Sequence, residues 1–152
     1  MTIQAQVLEV MKRVQAETEA ATILITHDLG IVAEMCDRVV VMYAGHIVEA
    51  GDVHTIFQKP RHPYTIGLMN SLPKLTEDEE WLEPIQGAPP SLINLPPGCP
   101  FHPRCFLSRG REVCRTELPP LSPTGDTSHN AACHFSEELV GDKSKYASGA
   151  VA

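Results

Sequence analysis

The stretch Ile23-Leu24-Ile25-Thr26-His27-Asp28-Leu29 decides how this chain is read. The apolar run Ala21–Thr26 predicts a buried strand. It ends in a Thr-His-Asp triplet, and Asp28 is placed to cap a short helix over Leu29–Met35. A strand feeding directly into a helix puts His27 at the carboxyl edge of a parallel sheet, where open α/β folds hold their ligands. A neutral imidazole there can donate to a phosphate oxygen and sense a terminal phosphate. Taken alone, His27 can also be a residue that merely ends a strand.

Working outward, Thr2–Ala20 predicts a helix whose apolar face carries Ile3, Val7, Val10, Met11 and Val14. On the other side, Asp37–Tyr43 reads as a second buried strand. Ala44-Gly45 makes a tight turn, and His46–Ala50 returns to close a hairpin. Gly51-Asp52 then caps a short helix over Val53–Gln58. These elements read as the closing part of an α/β sheet. A helix at residue 2 implies strands that should precede it, and two or three strands cannot form a doubly covered sheet unaided. No G-x-x-x-x-G-K-[ST] phosphate loop occurs in the 152 residues. The expectation is the back half of a nucleotide-binding domain.

Composition bounds the alternatives. The length suits one average domain, and 43% hydrophobic residues can bury a core, an aliphatic one given only 5% aromatics. A net charge of −7 argues against nucleic acid as a partner. No apolar run approaches the roughly 18 residues of a membrane span. The start, Met1-Thr2-Ile3-Gln4, lacks a basic region followed by an apolar one, so a cytoplasmic location is expected. Most of the 13 prolines fall between Lys59 and Pro123. Three regions follow: an α/β part over 1–58, a Pro- and Cys-rich, loop-rich extension over 59–135, and a frayed tail over 136–152.

Four of the five cysteines, Cys99, Cys105, Cys114 and Cys133, lie in the proline-rich region in the pattern C-x5-C-x8-C-x18-C. Cys36 stands apart, a small core residue by the simplest reading. In a cytoplasmic chain, four such thiols suggest a four-cysteine metal centre before disulfides. Zinc and a [4Fe–4S] cluster both accept four thiolates. Structural zinc sites favour short knuckles, and the wide, irregular gaps suit a cluster better. Two disulfides or four free thiols are the remaining options. His102, His129 and His134 can substitute as ligands or supply hydrogen bonds from behind them. Arg104, Arg109, Arg111 and Arg115 bring positive charge that offsets a thiolate-ligated group.

His62-Pro63-Tyr64-Thr65 predicts a proline-initiated helix with an apolar face at Ile66, Met69 and Leu72. Ala88-Pro89-Pro90-Ser91 and Leu95-Pro96-Pro97 read as extended spans wrapped onto a domain. The acidic run Thr76–Glu80 reads as a solvated face or a helix start.

These motifs carry a family resemblance. Thr2–Gln6, Ile23–Leu29, Asp37-Arg38-Val39, Tyr43–Glu49 and Gly51 resemble the C-terminal part of an ABC transporter ATPase subunit. The likeness is closest to the oligopeptide/dipeptide importer ATPases, through His62-Pro63-Tyr64-Thr65, Gly67-Leu68 and Gly98-Cys99-Pro100-Phe101-His102-Pro103-Arg104-Cys105. It covers about residues 2–135. It implies an α/β fold, the C-terminal part of an ABC-type P-loop nucleotide-binding domain plus the Pro/Cys-rich extension. It implies that His27 is the switch histidine contacting the ATP γ-phosphate, with Asp28 orienting the loop. Cys99, Cys105, Cys114 and Cys133 resemble the iron–sulfur ligands of some members. In the complete subunit it implies ATP and Mg²⁺, transmembrane permease subunits and a second ATPase subunit as partners, and a peripheral place on the cytoplasmic face of the inner membrane. Phosphoryl transfer needs cradle, metal and water-positioning group together, so these residues by themselves are expected to be inactive. The rival expectation is a stand-alone cytoplasmic metal-binding regulatory module, built on the four cysteines, with no transport role.

Overall fold

The computed structural model describes residues 3–72 and 84–139. Asp37 and Arg38 divide the chain into two compact units, Met1–Asp37 and Arg38–Ala152. The acidic run Thr76–Glu80 and the stretch from Val140 onward lie outside the described residues.

The first unit holds two helices. α1 spans Ile3–Thr18, where the apolar period predicts it. It stops before Ala20 because Glu19 turns into the left-handed region at φ 51°. Ile3, Val7, Val10 and Val14 stay at least half exposed along it. α2 spans Leu29–Met35 and is capped by Asp28 as expected. The segment between them corrects the opening expectation. Residues 21–26 form no strand, and Ile23 and Ile25 are 90% and 95% exposed. Strands gain their stability from hydrogen-bonded neighbours, and among the described residues nothing pairs with this run. His27 therefore does not sit at the edge of a parallel sheet.

The sheet lies in the second unit and is antiparallel throughout, in the order β1-β2-β4-β3. β1 (Arg38–Tyr43) and β2 (His46–Asp52) form the expected hairpin. Ala44 and Gly45 both have positive φ, 49° and 82°, as the tight two-residue turn between twisted strands requires. β1 is not the fully buried strand its apolar run predicts. Val41 and Tyr43 face inward, while Val40 and Met42 are more than half exposed on the other face. A bulge between Val41 and Met42 adjusts the register.

α3 (Val53–Gln58) follows β2 at once, capped by Asp52, which accepts from Thr55 N at 2.9 Å and from the Thr55 hydroxyl. α4 (Pro63–Asn70) starts at its proline, as read, and buries Ile66 and Met69. A 3₁₀ turn at His102–Arg104 and a short helix, α5 (Glu112–Thr116), interrupt an otherwise irregular run. β3 (Ser122–Thr124) and β4 (Asp126–Ala131) then complete the sheet, β4 docking on β2 through Glu49↔Ala131 and Ala50↔Asn130. Order continues through a 3₁₀ turn at Ser136–Leu139, where Leu139 is buried. The core of this unit gathers Val41, Tyr43, Val48, Ile56, Ile66 and Phe101. Among the described residues, no helix is long and apolar enough to cross a membrane.

Candidate functional site

In the first unit, Asp28 commits its carboxylate to the backbone. Its Oδ1 accepts from Gly30 N at 2.9 Å and Ile31 N at 3.2 Å, and its own N–H donates to Thr26 Oγ1 at 3.0 Å. The Thr-His-Asp triplet is thus a capping turn, with His27 exposed at the bend. These bonds fix the turn at the start of α2.

In the second unit the four cysteines converge. Gly98 (φ 72°) lies against the backbone of α5, where a Cβ would come within 2.6 Å of Cys114 O. That close approach lets Cys99 N donate to Cys114 O at 3.0 Å, which pins the two cysteines together. The 3₁₀ turn folds Cys105 back, with His102 N on Cys99 O at 3.0 Å and Cys105 N on His102 O at 3.3 Å. Ser108 Oγ closes it by donating to Cys105 O at 2.9 Å. Ala132 N prolongs the sheet by donating to Val48 O at 2.8 Å and so delivers Cys133. Cys99, Cys105, Cys114 and Cys133 line one small cavity together with His62, Phe101, Leu107 and Phe135. All five cysteines are free thiols, so the disulfide option is not realised.

Burial pushes all four thiols up, Cys105 to about 12 and Cys133 to about 11. Backbone N–H groups oppose this. Phe101 and His102 donate toward Cys99, Leu107 and Ser108 toward Cys105, and Phe135 toward Cys133. The guanidinium of Arg111 pulls Cys114 and Cys133 down to a lesser degree. Uncoordinated, these thiols stay protonated at neutral pH. The N–H groups, however, are placed to stabilise sulfur once it is negative, as donors around metal-bound thiolates do. Among the described residues no group of three or more His, Cys, Asp or Glu side chains is arranged to hold a metal ion.

A buried carboxylate supports one wall of the cavity. Glu49 on β2 is fully buried and accepts three hydrogen bonds: Arg61 N at 2.6 Å, His62 N at 3.1 Å and His129 Nε2 at 2.7 Å. It joins β2, β4 and the entry to α4. His62, 1% exposed, accepts from Tyr64 N at Nδ1 (3.1 Å) and so caps α4. Burial pushes its pKa down to about 3. Arg111 forms a two-pronged ion pair with Glu138 (3.0 and 2.8 Å) and lies 3.9 Å over the Phe135 ring. Arg104 clasps the extended segment, donating to Ile85 O and Gln86 O at 3.0 Å each and to the Tyr43 hydroxyl at 3.3 Å.

Residues 48–114 match the model of a family described as oligopeptide/dipeptide transporter, C-terminal region. Over 146 residues, 92% of this chain, it is 46% identical to a putative peptide import ATP-binding protein of Brucella ovis. Over most of its length the chain is thus similar to part of oligopeptide and dipeptide transporter ATP-binding proteins. It is also 46% identical over 91% of its length to the dipeptide transport ATP-binding protein DppD of Bacillus subtilis, and 47% identical over 93% to the oligopeptide transport ATP-binding protein OppD of Mycobacterium bovis. It spans 42%, 40% and 23% of these three relatives, less than half of each.

The matched region of this transporter family runs from β2 through α5 and contains Glu49, His62 and three of the four cysteines. His102 and His134 turn a ring nitrogen to a backbone carbonyl, Cys99 O at 2.9 Å and Glu117 O at 3.1 Å, as residues behind a site do. His129 instead serves Glu49. Glu49 and His62 stood in the sequence only as parts of the motifs Tyr43–Glu49 and His62-Pro63-Tyr64-Thr65, and their place in this assembly was not read there. Their signals were a lone carboxylate inside the apolar strand Val48-Glu49-Ala50 and a histidine at a helix N-cap.

Proposed function

We propose that this chain supplies the closing part of the ATP-binding subunit of a peptide ABC importer, in which ATP binding and hydrolysis drive oligopeptide or dipeptide uptake. The observation that carries this reading is the 46% identity to a peptide import ATP-binding protein across 92% of the chain. In the complete subunit, His27 contacts the γ-phosphate of Mg²⁺-bound ATP, and Asp28 holds it there by capping α2. Transmembrane permease subunits and a second ATPase subunit are the partners, at the cytoplasmic face of the cell membrane. The phosphate loop, signature sequence and catalytic carboxylate fall, on this reading, within the part of the relatives' length that this chain does not span.

The test is a transplant. Residues 1–135 replace the corresponding segment of the B. subtilis dipeptide transport ATP-binding protein, and ATP hydrolysis and dipeptide uptake are measured with its partner subunits. Activity is expected, and His27→Ala should lower hydrolysis about 100-fold or more, the usual cost of losing one transition-state donor. Hydrolysis untouched by that substitution would sink the role given to His27. The isolated chain should show no turnover in either form.

Within the same reading, Cys99, Cys105, Cys114 and Cys133 hold a [4Fe–4S] cluster. Support comes from four free thiols around one cavity and from the N–H groups directed at three of them. When bound, the cluster supplies a cross-link and a redox-sensitive centre. Anaerobic iron and sulfide analysis tests it, and zinc alone would refute it. The stand-alone regulatory module has no observation in its favour.

A further inference from the structure

We propose that His62 donates its Nε2–H to a sulfur of the group held by Cys99, Cys105, Cys114 and Cys133, and thereby raises that group's reduction potential. The inference rests on the cluster reading above. His62 lines the same cavity as the four thiols. Its Nδ1 accepts the N-cap hydrogen bond from Tyr64 N at 3.1 Å. A neutral imidazole that accepts at one nitrogen carries its proton on the other, so the cap fixes the tautomer with the hydrogen on Nε2.

The ring cannot easily turn away from this arrangement. Its backbone N is held by Glu49 Oε2 at 3.1 Å, the next residue is the proline that opens α4, and the Phe101 ring centroid lies 5.8 Å off. With His62 1% exposed, bulk water is not available as the acceptor. Buried N–H groups find partners, and the cavity that His62 lines offers four sulfurs beside Ser108, His102 and His134, each of which already meets a backbone carbonyl. The other two histidines there differ. His102 and His134 are only half-buried, and each already has a ring nitrogen on a backbone carbonyl. A donor to cluster or thiolate sulfur favours the more negative, reduced state.

Two substitutions separate the two ring nitrogens. In His62→Asn the amide oxygen can keep the cap of α4, but nothing reaches the Nε2 position. In His62→Gln the amide nitrogen can occupy that position, while the cap is lost. The full chain and both variants are reconstituted anaerobically with ferrous iron and sulfide. Iron and labile sulfide are counted, and midpoint potentials are measured by dye-equilibrated titration. About four irons and four sulfides per chain are expected from a [4Fe–4S] site. His62→Asn should shift the one-electron equilibrium about tenfold toward the oxidised form, a fall of about 59 mV. His62→Gln should keep most of the wild-type potential. Loaded proteins with equal potentials, or a fall in His62→Gln as large as in His62→Asn, would overturn this inference and leave the cluster reading intact. No uptake of iron and sulfide by the wild type would overturn both.

Discussion

Glu49 is one carboxylate serving three elements. A buried acceptor with three donors is costly to alter, because each donor left without an acceptor keeps its desolvation penalty. Glu49→Gln places an amide N–H where Arg61 N, His62 N or His129 Nε2 now donates. We expect a loss of about 3 kcal/mol in urea unfolding. His62 gives a pH signature in the metal-free chain. Its pKa is lowered from 6.5 to about 3 by burial, so between those values the unfolded chain binds the proton and the folded chain does not. The stability it contributes is complete above pH 6.5 and is lost as pH falls toward about 3. Urea midpoints measured from pH 7 to pH 4 should fall, and less steeply in His62→Asn. Equal slopes would show that His62 is not the group responsible.

At the scale of elements, Gly67 on α4 lets the segment after residue 83 lie close. A Cβ there would meet Ile85 at 2.6 Å. Gly67→Ala should therefore destabilise the chain by about 1–3 kcal/mol despite the better helix propensity of alanine. Adding Ile85→Ala should recover most of the loss, and a thermal-denaturation cycle of the two variants measures it. The elements legible in the sequence were those written locally: the Asp28 and Asp52 caps, the Ala44-Gly45 turn and the Pro63 start of α4. β3 and β4 were illegible, since Ser122-Pro123-Thr124 and the largely polar Asp126–Ala131 become strands only by pairing at a distance. The same fact explains residues 21–26. Their apolar pattern reports a wish for burial and says nothing of whether a neighbouring strand is at hand. Of the site, the cysteines could be read from type and region. Glu49 and His62 owe their roles to packing, which leaves little trace in sequence.

For the whole molecule, the balance of apolar surface is uneven. Ile3, Val7, Val10 and Val14 on α1 are 51–81% exposed, and Ile23 and Ile25 more so. Exposed faces of this kind drive association. The isolated chain should self-associate with rising concentration, and Val7→Lys with Val14→Glu should reduce that in light scattering without lowering its melting temperature. The second unit has a different exposure, one in time. Glu49 and His129 lie 80 residues apart. A ribosome adding roughly 5–20 residues per second completes that pair about 4–16 s after the hairpin emerges. For those seconds the hairpin carries its central carboxylate in water, and one edge of β2 waits for a strand not yet made. Final closure of the sheet is therefore timed by synthesis, and anything able to occupy that edge in the interval competes directly with β4.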